Sequence, residues 1–143
     1  LVRAVRGIIA RTYCVFYVES TDYLKRSGML PPLHDTIGMA PNVKPLFVIE
    51  EGQIAPLQRL RNRGTAVERL TEFIVEFTRF EELVIMHSGL DQGADELQQH
   101  LNTLYPELVV QKHIYGPALA RLMGPYTLGV TVFEGPETDL RFI

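Results

Sequence analysis

Residues 43–61 read Val43-Lys44-Pro45-Leu46-Phe47-Val48-Ile49-Glu50-Glu51-Gly52-Gln53-Ile54-Ala55-Pro56-Leu57-Gln58-Arg59-Leu60-Arg61. Two apolar runs, Val43 to Glu50 and Gln53 to Arg61, are broken by Glu51-Gly52, where glycine supplies a positive φ. That pattern predicts a β-hairpin. Pro45 and Pro56 cannot donate to a ladder, so parts of both strands are expected at edge positions or bulges.

Downstream of the hairpin, Thr65-Ala66-Val67-Glu68 fits a capping box. Val67, Leu70, Phe73, Ile74 and Phe77 then form one apolar stripe, which predicts a helix with these side chains buried. Leu83 to Met86 reads as a buried strand. Asp91 is placed to cap a second helix, with Ala94, Leu97, Leu101 and Leu104 inward and Pro106 beyond its end. Leu108 to Ile114 is a strand, Gly116-Pro117 opens a short helix that stops at Gly124-Pro125, and Leu128 to Phe133 is the last strand. Upstream, Leu1, Val2, Val5, Ile8 and Ile9 recur at helical spacing, and Tyr13 to Val18 is β-branched and aromatic. Ser20 and Thr21 can cap a short helix running to Arg26 and ended by Gly28, and residues 29–42 are expected to form a loop. The order βα, hairpin, αβαβαβ predicts an α+β fold, a two-layer α/β sandwich with a mixed β-sheet and helices mainly on one face. Residues 1–12 are read as a connecting helix from an absent N-terminal domain, and 13–143 as one domain. The chain opens at Leu1 with neither an initiator Met nor a signal peptide, and is read as a piece of a longer protein.

With 143 residues, 46% hydrophobic and 22% charged, the chain has the balance of one globular domain. No apolar run reaches the roughly 18 residues of a membrane span. A net charge of −3 argues against general nucleic-acid binding. The single cysteine, Cys14, lies in an apolar run and suits a reducing compartment, so a cytoplasmic location is expected.

Arg59, Arg61 and Arg63 are spaced by two, so an extended segment presents them on one side. Two readings stand: an anion site, since guanidinium grips carboxylate or phosphate in bidentate fashion, or a solvated charged edge. His34, His87, His100 and His113 show no metal-ligand spacing, and one cysteine adds no second soft ligand. No metal or cofactor is expected. Neither GxSxG, Walker A nor GxGxxG is present, and the residues show no catalytic set.

Five segments in register carry a family resemblance. They are Asp22-Tyr23-Leu24-Lys25-Arg26-Ser27-Gly28, Val43-Lys44-Pro45-Leu46, Glu51-Gly52-Gln53-Ile54, Arg59-Leu60-Arg61 and Gly124-Pro125-Tyr126-Thr127-Leu128-Gly129. Their order and spacing resemble the C-terminal domain of DegV-family proteins over about residues 10–135. The resemblance implies a bacterial, two-domain, non-catalytic protein that binds one long-chain fatty acid. It would serve as the lipid-presenting subunit of a fatty acid kinase, whose separate dihydroxyacetone-kinase-like subunit phosphorylates the acyl carboxylate with ATP. The family's N-terminal domain supplies a Thr and a Ser to that carboxylate. Its basic-x-Arg signature falls on Arg59 and Arg61 and its Lys-Pro pair on Lys44 and Pro45, making Arg61, Arg59 and Lys44 the expected carboxylate contacts. Phe47, Leu70, Ile74, Phe77, Leu122 and Leu128 are the residues assigned to the acyl tunnel. The chain departs from the family at Met29, where an Arg is usual, at Leu122, where a His is usual, and at Tyr126, where a Gly is usual. The alternative function is a regulatory or protein-interaction domain that has kept the fold and lost the lipid.

Overall fold

The computed structural model describes residues 1–28 and 44–135. The expected loop at 29–42, with Met29 and His34, lies outside the described residues, as do Val43 and residues 136–143.

The elements are α1 (Val2–Ile9), β1 (Thr12–Val18), α2 (Asp22–Arg26), β2 (Lys44–Glu50), β3 (Gln53–Leu60), a 3₁₀ turn (Arg63–Thr65), α3 (Ala66–Val75), β4 (Glu82–Ser88), α4 (Asp91–Leu104), β5 (Val110–Ile114), α5 (Pro117–Met123) and β6 (Thr127–Phe133). Among the described residues, six strands form one sheet in the order β3-β2-β1-β6-β4-β5. β4 and β5 run parallel and every other neighbouring pair is antiparallel, so the sheet is mixed and the fold is α+β. The hairpin turns on two residues of positive φ, Glu51 at 50° and Gly52 at 77°. Such a turn matches the right-handed twist of its strands. Its ladder shifts between Leu46, which pairs with Gln58, and Phe47, which pairs with Pro56, so Leu57 is the bulged residue, next to Pro56 on the edge strand. Pro45 lies beyond the residues that β2 pairs with β1.

Alternation along β1 divides the core. Val15 and Tyr17 face α3 and α4, together with Leu46, Leu70, Ile74, Leu83, Ile85, Leu97, Leu101 and Leu128. Phe16 and Val18 face the other way, with Leu24 of α2, Phe47, Ile54, Tyr115 and Met123 of α5. The two longer helices therefore cover one face, and the two short ones lie over the other. β1 and β6 approach closely at Gly129, where a Cβ would stand 2.9 Å from Phe16 Cβ and 3.0 Å from the Val15 carbonyl oxygen. α1 buries none of its residues, and Val2, Val5, Ile8 and Ile9 are exposed.

Local expectations fail at helix ends. Thr65 makes no side-chain cap and already has helical angles. Asn62 caps instead, accepting from the Thr65 N–H at 3.2 Å, while the Thr65 hydroxyl donates back to the Asn62 carbonyl. The capping function has moved one turn upstream, onto the 3₁₀ turn. Asp91 is the first residue of α4 rather than its cap, where a carboxylate still complements the helix dipole. Phe77 lies past the end of α3 and, like Phe73, is half-buried. The two rings meet edge-on at 5.2 Å, and Phe77 also touches Tyr13. Leu104, in the last turn of α4, is exposed, and the neighbouring Tyr105 packs against the core in its place.

Candidate functional site

Strand register gathers the chemistry at one end of the sheet. Val18 and Ser88 both pair with Thr127, Tyr17 with Leu46, Lys44 with Leu60, and His87 with Ile114. That end thus carries the C-terminal ends of β1, β3, β4 and β5 and the N-terminal ends of β2 and β6. Glu19, Lys44, Arg61 and Arg63 all stand there. The link from α5 to β6 joins them, since the Glu19 N–H donates to the Tyr126 carbonyl at 3.1 Å.

Glu19 is the hub. The buried Tyr17 hydroxyl donates to its Oε2 at 2.5 Å, Lys44 Nζ lies 3.3 Å from Oε1, and Arg63 Nε lies 3.2 Å from Oε2. Lys44 Nζ also donates to the Glu19 carbonyl at 3.1 Å. Partial burial opposes the Glu19 charge, but the hydrogen bonds from Tyr17, Arg63 and Lys44 outweigh it and hold the carboxyl below its ordinary range. Burial raises the Tyr17 phenol well above its usual value, and the neighbouring carboxylate raises it further. Two cations share one carboxylate, which leaves the cluster one positive charge in excess.

The expected carboxylate contacts are thereby separated. Lys44 is already paired with Glu19. Arg59 and Arg61 are exposed and make no ion pair among the described residues. Arg59 and Arg63 do not continue one extended row with Arg61, because β3 ends at Leu60 and the chain bends before the 3₁₀ turn.

The expected tunnel residues are also divided. Leu70, Ile74 and Leu128 belong to the α3/α4 core, with Phe77 at its margin. Phe47 and Leu122 lie on the opposite face. One acyl chain cannot touch all six, because the sheet stands between them. On the face under α2 and α5, Cys14, Ile49, Met86, Leu119 and Leu122 are half-buried around the core formed by the described residues. Burial pushes the Cys14 thiol up, against a lowering contact from Thr131.

Sequence reading missed Glu19 and Tyr17. His87 lies inside β4, buried, with Nδ1 3.1 Å from Asp91 Oδ1 but out of hydrogen-bond alignment. Among the described residues, no three His, Cys, Asp or Glu side chains converge to hold a metal ion, and no helix is long and apolar enough to cross a membrane.

A family model described as the uncharacterised DegV protein family matches residues 1–135. A DegV domain-containing protein of Streptomyces coelicolor is 32% identical over 127 residues, which cover 86% of this chain and 45% of that protein. The chain spans about half the length of the curated relatives it matches. Among solved structures, a fatty-acid-binding DegV family protein of Streptococcus agalactiae superposes with a TM-score of 0.83 at 21% identity, covering 94% of this chain and 49% of that one. The fatty acid kinase B3 protein of Streptococcus pneumoniae, solved loaded with linoleic acid, superposes with a TM-score of 0.79 at 17% identity, covering 94% and 48%.

Proposed function

This chain belongs to the DegV family, and on that premise we propose that it is the lipid-holding half of a fatty-acid-binding protein. The observation that carries the reading is the sheet face under α2 and α5. Two short helices leave Cys14, Ile49, Met86, Leu119 and Leu122 half-covered there, beside a sheet end rich in cations. A long acyl chain laid on such a face gains roughly 0.8 kcal/mol per buried methylene. Its carboxylate, by contrast, loses free energy on burial unless it meets charged partners.

In this proposal Arg61 and Arg59 supply part of the charge from the end of β3, while Lys44 acts through Glu19 rather than directly. Phe47 and Leu122 contact the tail. Leu70, Ile74, Phe77 and Leu128 support the sheet from behind. An upstream half packs on the exposed apolar stripe of α1 and completes the carboxylate site with hydroxyl groups. The whole protein then works in the cytoplasm as a non-catalytic subunit, presenting the acyl carboxylate to a separate kinase that transfers phosphate from ATP.

The test is native mass spectrometry of the full-length protein as purified, followed by titration of delipidated protein with a labelled long-chain fatty acid. A bound acyl chain and saturable binding are expected. Arg61→Ala should weaken that binding by about 1.5–3 kcal/mol, the usual worth of a hydrogen bond to a charged group. Absence of both bound lipid and saturable uptake would overturn the reading and favour a fold kept for protein interaction.

A further inference from the structure

We propose that the Tyr115 hydroxyl reads the middle of the bound chain and selects acyl chains that carry an in-chain carbonyl oxygen. The proposal rests on the lipid reading for the presence of a chain, and on the sheet face under α2 and α5 for the chemistry it selects.

Tyr115 follows β5, and its backbone N–H donates to the His87 carbonyl of β4 at 2.9 Å. From there its side chain joins Phe16, Leu24, Phe47 and Met123 in the core of that face, and the residue is only 7% exposed. The hydroxyl stands over Gly129 of β6, where a Cβ would come within 3.1 Å of the oxygen. The side chain missing at that position is what makes room for it. Gly129 pairs with Phe16 of β1 and with Met86 of β4. The hydroxyl therefore reaches β6 from beyond β5, with β4 between them.

The oxygen is shut off from water and has no hydrogen-bond partner among the described residues. Buried hydroxyls are nearly always bonded, and one left without a partner costs free energy. Thr131, which pairs with Cys14 on the next rung of the same face, directs its own hydroxyl to the Met86 sulfur at 3.7 Å. A plain hydrocarbon chain laid on this face gives the Tyr115 donor nothing to bond. A carbonyl oxygen in the chain answers a lone donor completely, whereas a hydroxyl would bring a second donor that itself needs an acceptor. A carbonyl placed elsewhere along the chain would be buried unpaired, so the selection is for position as well as for oxygen. Met86, half-buried beside Gly129 and unbranched, is the side chain that turns aside to let the chain reach the oxygen.

The experiment titrates full-length delipidated protein with octadecanoic acid and with the positional series of oxo-octadecanoic acids. One oxo position should bind about two- to tenfold more tightly than the unsubstituted acid, the usual net worth of a single hydrogen bond, and the other positions more weakly. Tyr115→Phe should abolish the preference for that position while binding the unsubstituted acid at least as tightly as the parent. Because the hydroxyl has no partner to lose, the lipid-free variant should melt at the same temperature as the parent or higher. A fall of several degrees would show that the hydroxyl is already bonded and would overturn the proposal. A flat series in the parent, or a preference that survives in Tyr115→Phe, would overturn it while leaving lipid binding intact. A parent that binds none of these acids would overturn both the proposal and the lipid reading.

Discussion

Replacing Glu19 with Ala should weaken the fold and strengthen anion binding at the same time. In the parent, Glu19 accepts from Tyr17, Lys44 and Arg63. Tyr17 is fully buried in the parent, so its hydroxyl loses its acceptor when the carboxylate goes. An orphaned buried hydroxyl costs about 1–3 kcal/mol. The Lys44 pair is partly buried and contributes on the order of 1 kcal/mol, and the more exposed Arg63 pair contributes less. Together these give roughly 2–4 kcal/mol of destabilisation for Glu19→Ala. Glu19→Gln keeps an acceptor for Tyr17 and should cost about half as much. Urea unfolding gives the difference directly, provided the slope with denaturant is unchanged. The double variant Tyr17→Phe/Glu19→Ala removes the orphan and should recover about 1–2 kcal/mol relative to Glu19→Ala. The same substitution raises the local charge by one and releases Lys44 and Arg63, so affinity for a carboxylate should rise. A Glu19→Ala protein within 0.5 kcal/mol of the parent, with no recovery in the double variant, would refute the hub.

The pH dependence of stability follows from the same cluster. The folded Glu19 carboxyl holds its proton more weakly than the unfolded one. Its contribution is complete above the ordinary glutamate range near about 4.3 and disappears as pH falls through the lower folded value. Unfolding free energies measured across that acid range should fall less steeply in Glu19→Gln. At Gly129, the contacts a Cβ would make with Phe16 and the Val15 carbonyl predict that Gly129→Ala costs about 1–3 kcal/mol, seen as a lowered melting temperature. Ile74→Ala, at a fully buried site, should cost roughly 2–5 kcal/mol, and Leu104→Ser, at an exposed one, under about 0.5 kcal/mol, both by urea unfolding. Equal losses at those two positions would mean that the helix faces have been misassigned.

The hairpin and the succession of strands and helices along the chain were legible because their signals are local. Glu51-Gly52 calls for positive φ, and alternating and continuous apolar runs call for strands. The capping error at Thr65 has a local cause too: Asn62 and Thr65 both offer a capping oxygen, and spacing alone does not say which of them enters the helix first. At Phe77 the apolar stripe outlasts the helix, which ends at Val75, and at α4 the inward step after Leu101 falls on Tyr105 rather than Leu104. Glu19 was invisible for a different reason. Its partners Lys44 and Arg63 lie 25 and 44 residues away, and only the sheet register brings them together. The same limit governed the expected tunnel residues. An apolar side chain in a strand signals burial, but which face it enters depends on parity within a sheet whose order is not written in any one segment.

The position of β6 bears on how the protein is made. The last strand among the described residues lies between β1 and β4, pairing with both. A nascent chain that has not yet reached Thr127 holds only β3-β2-β1 and β4-β5, two unjoined ribbons with apolar side chains and open edges. Loop closure across more than a hundred residues must precede their union, which slows folding. Until then the inner edges of β1 and β4 can pair with any strand nearby, including those of another chain on the same message. Truncation before β6 should yield insoluble protein, and crowding of ribosomes should matter more for this chain than for a helical bundle of the same length.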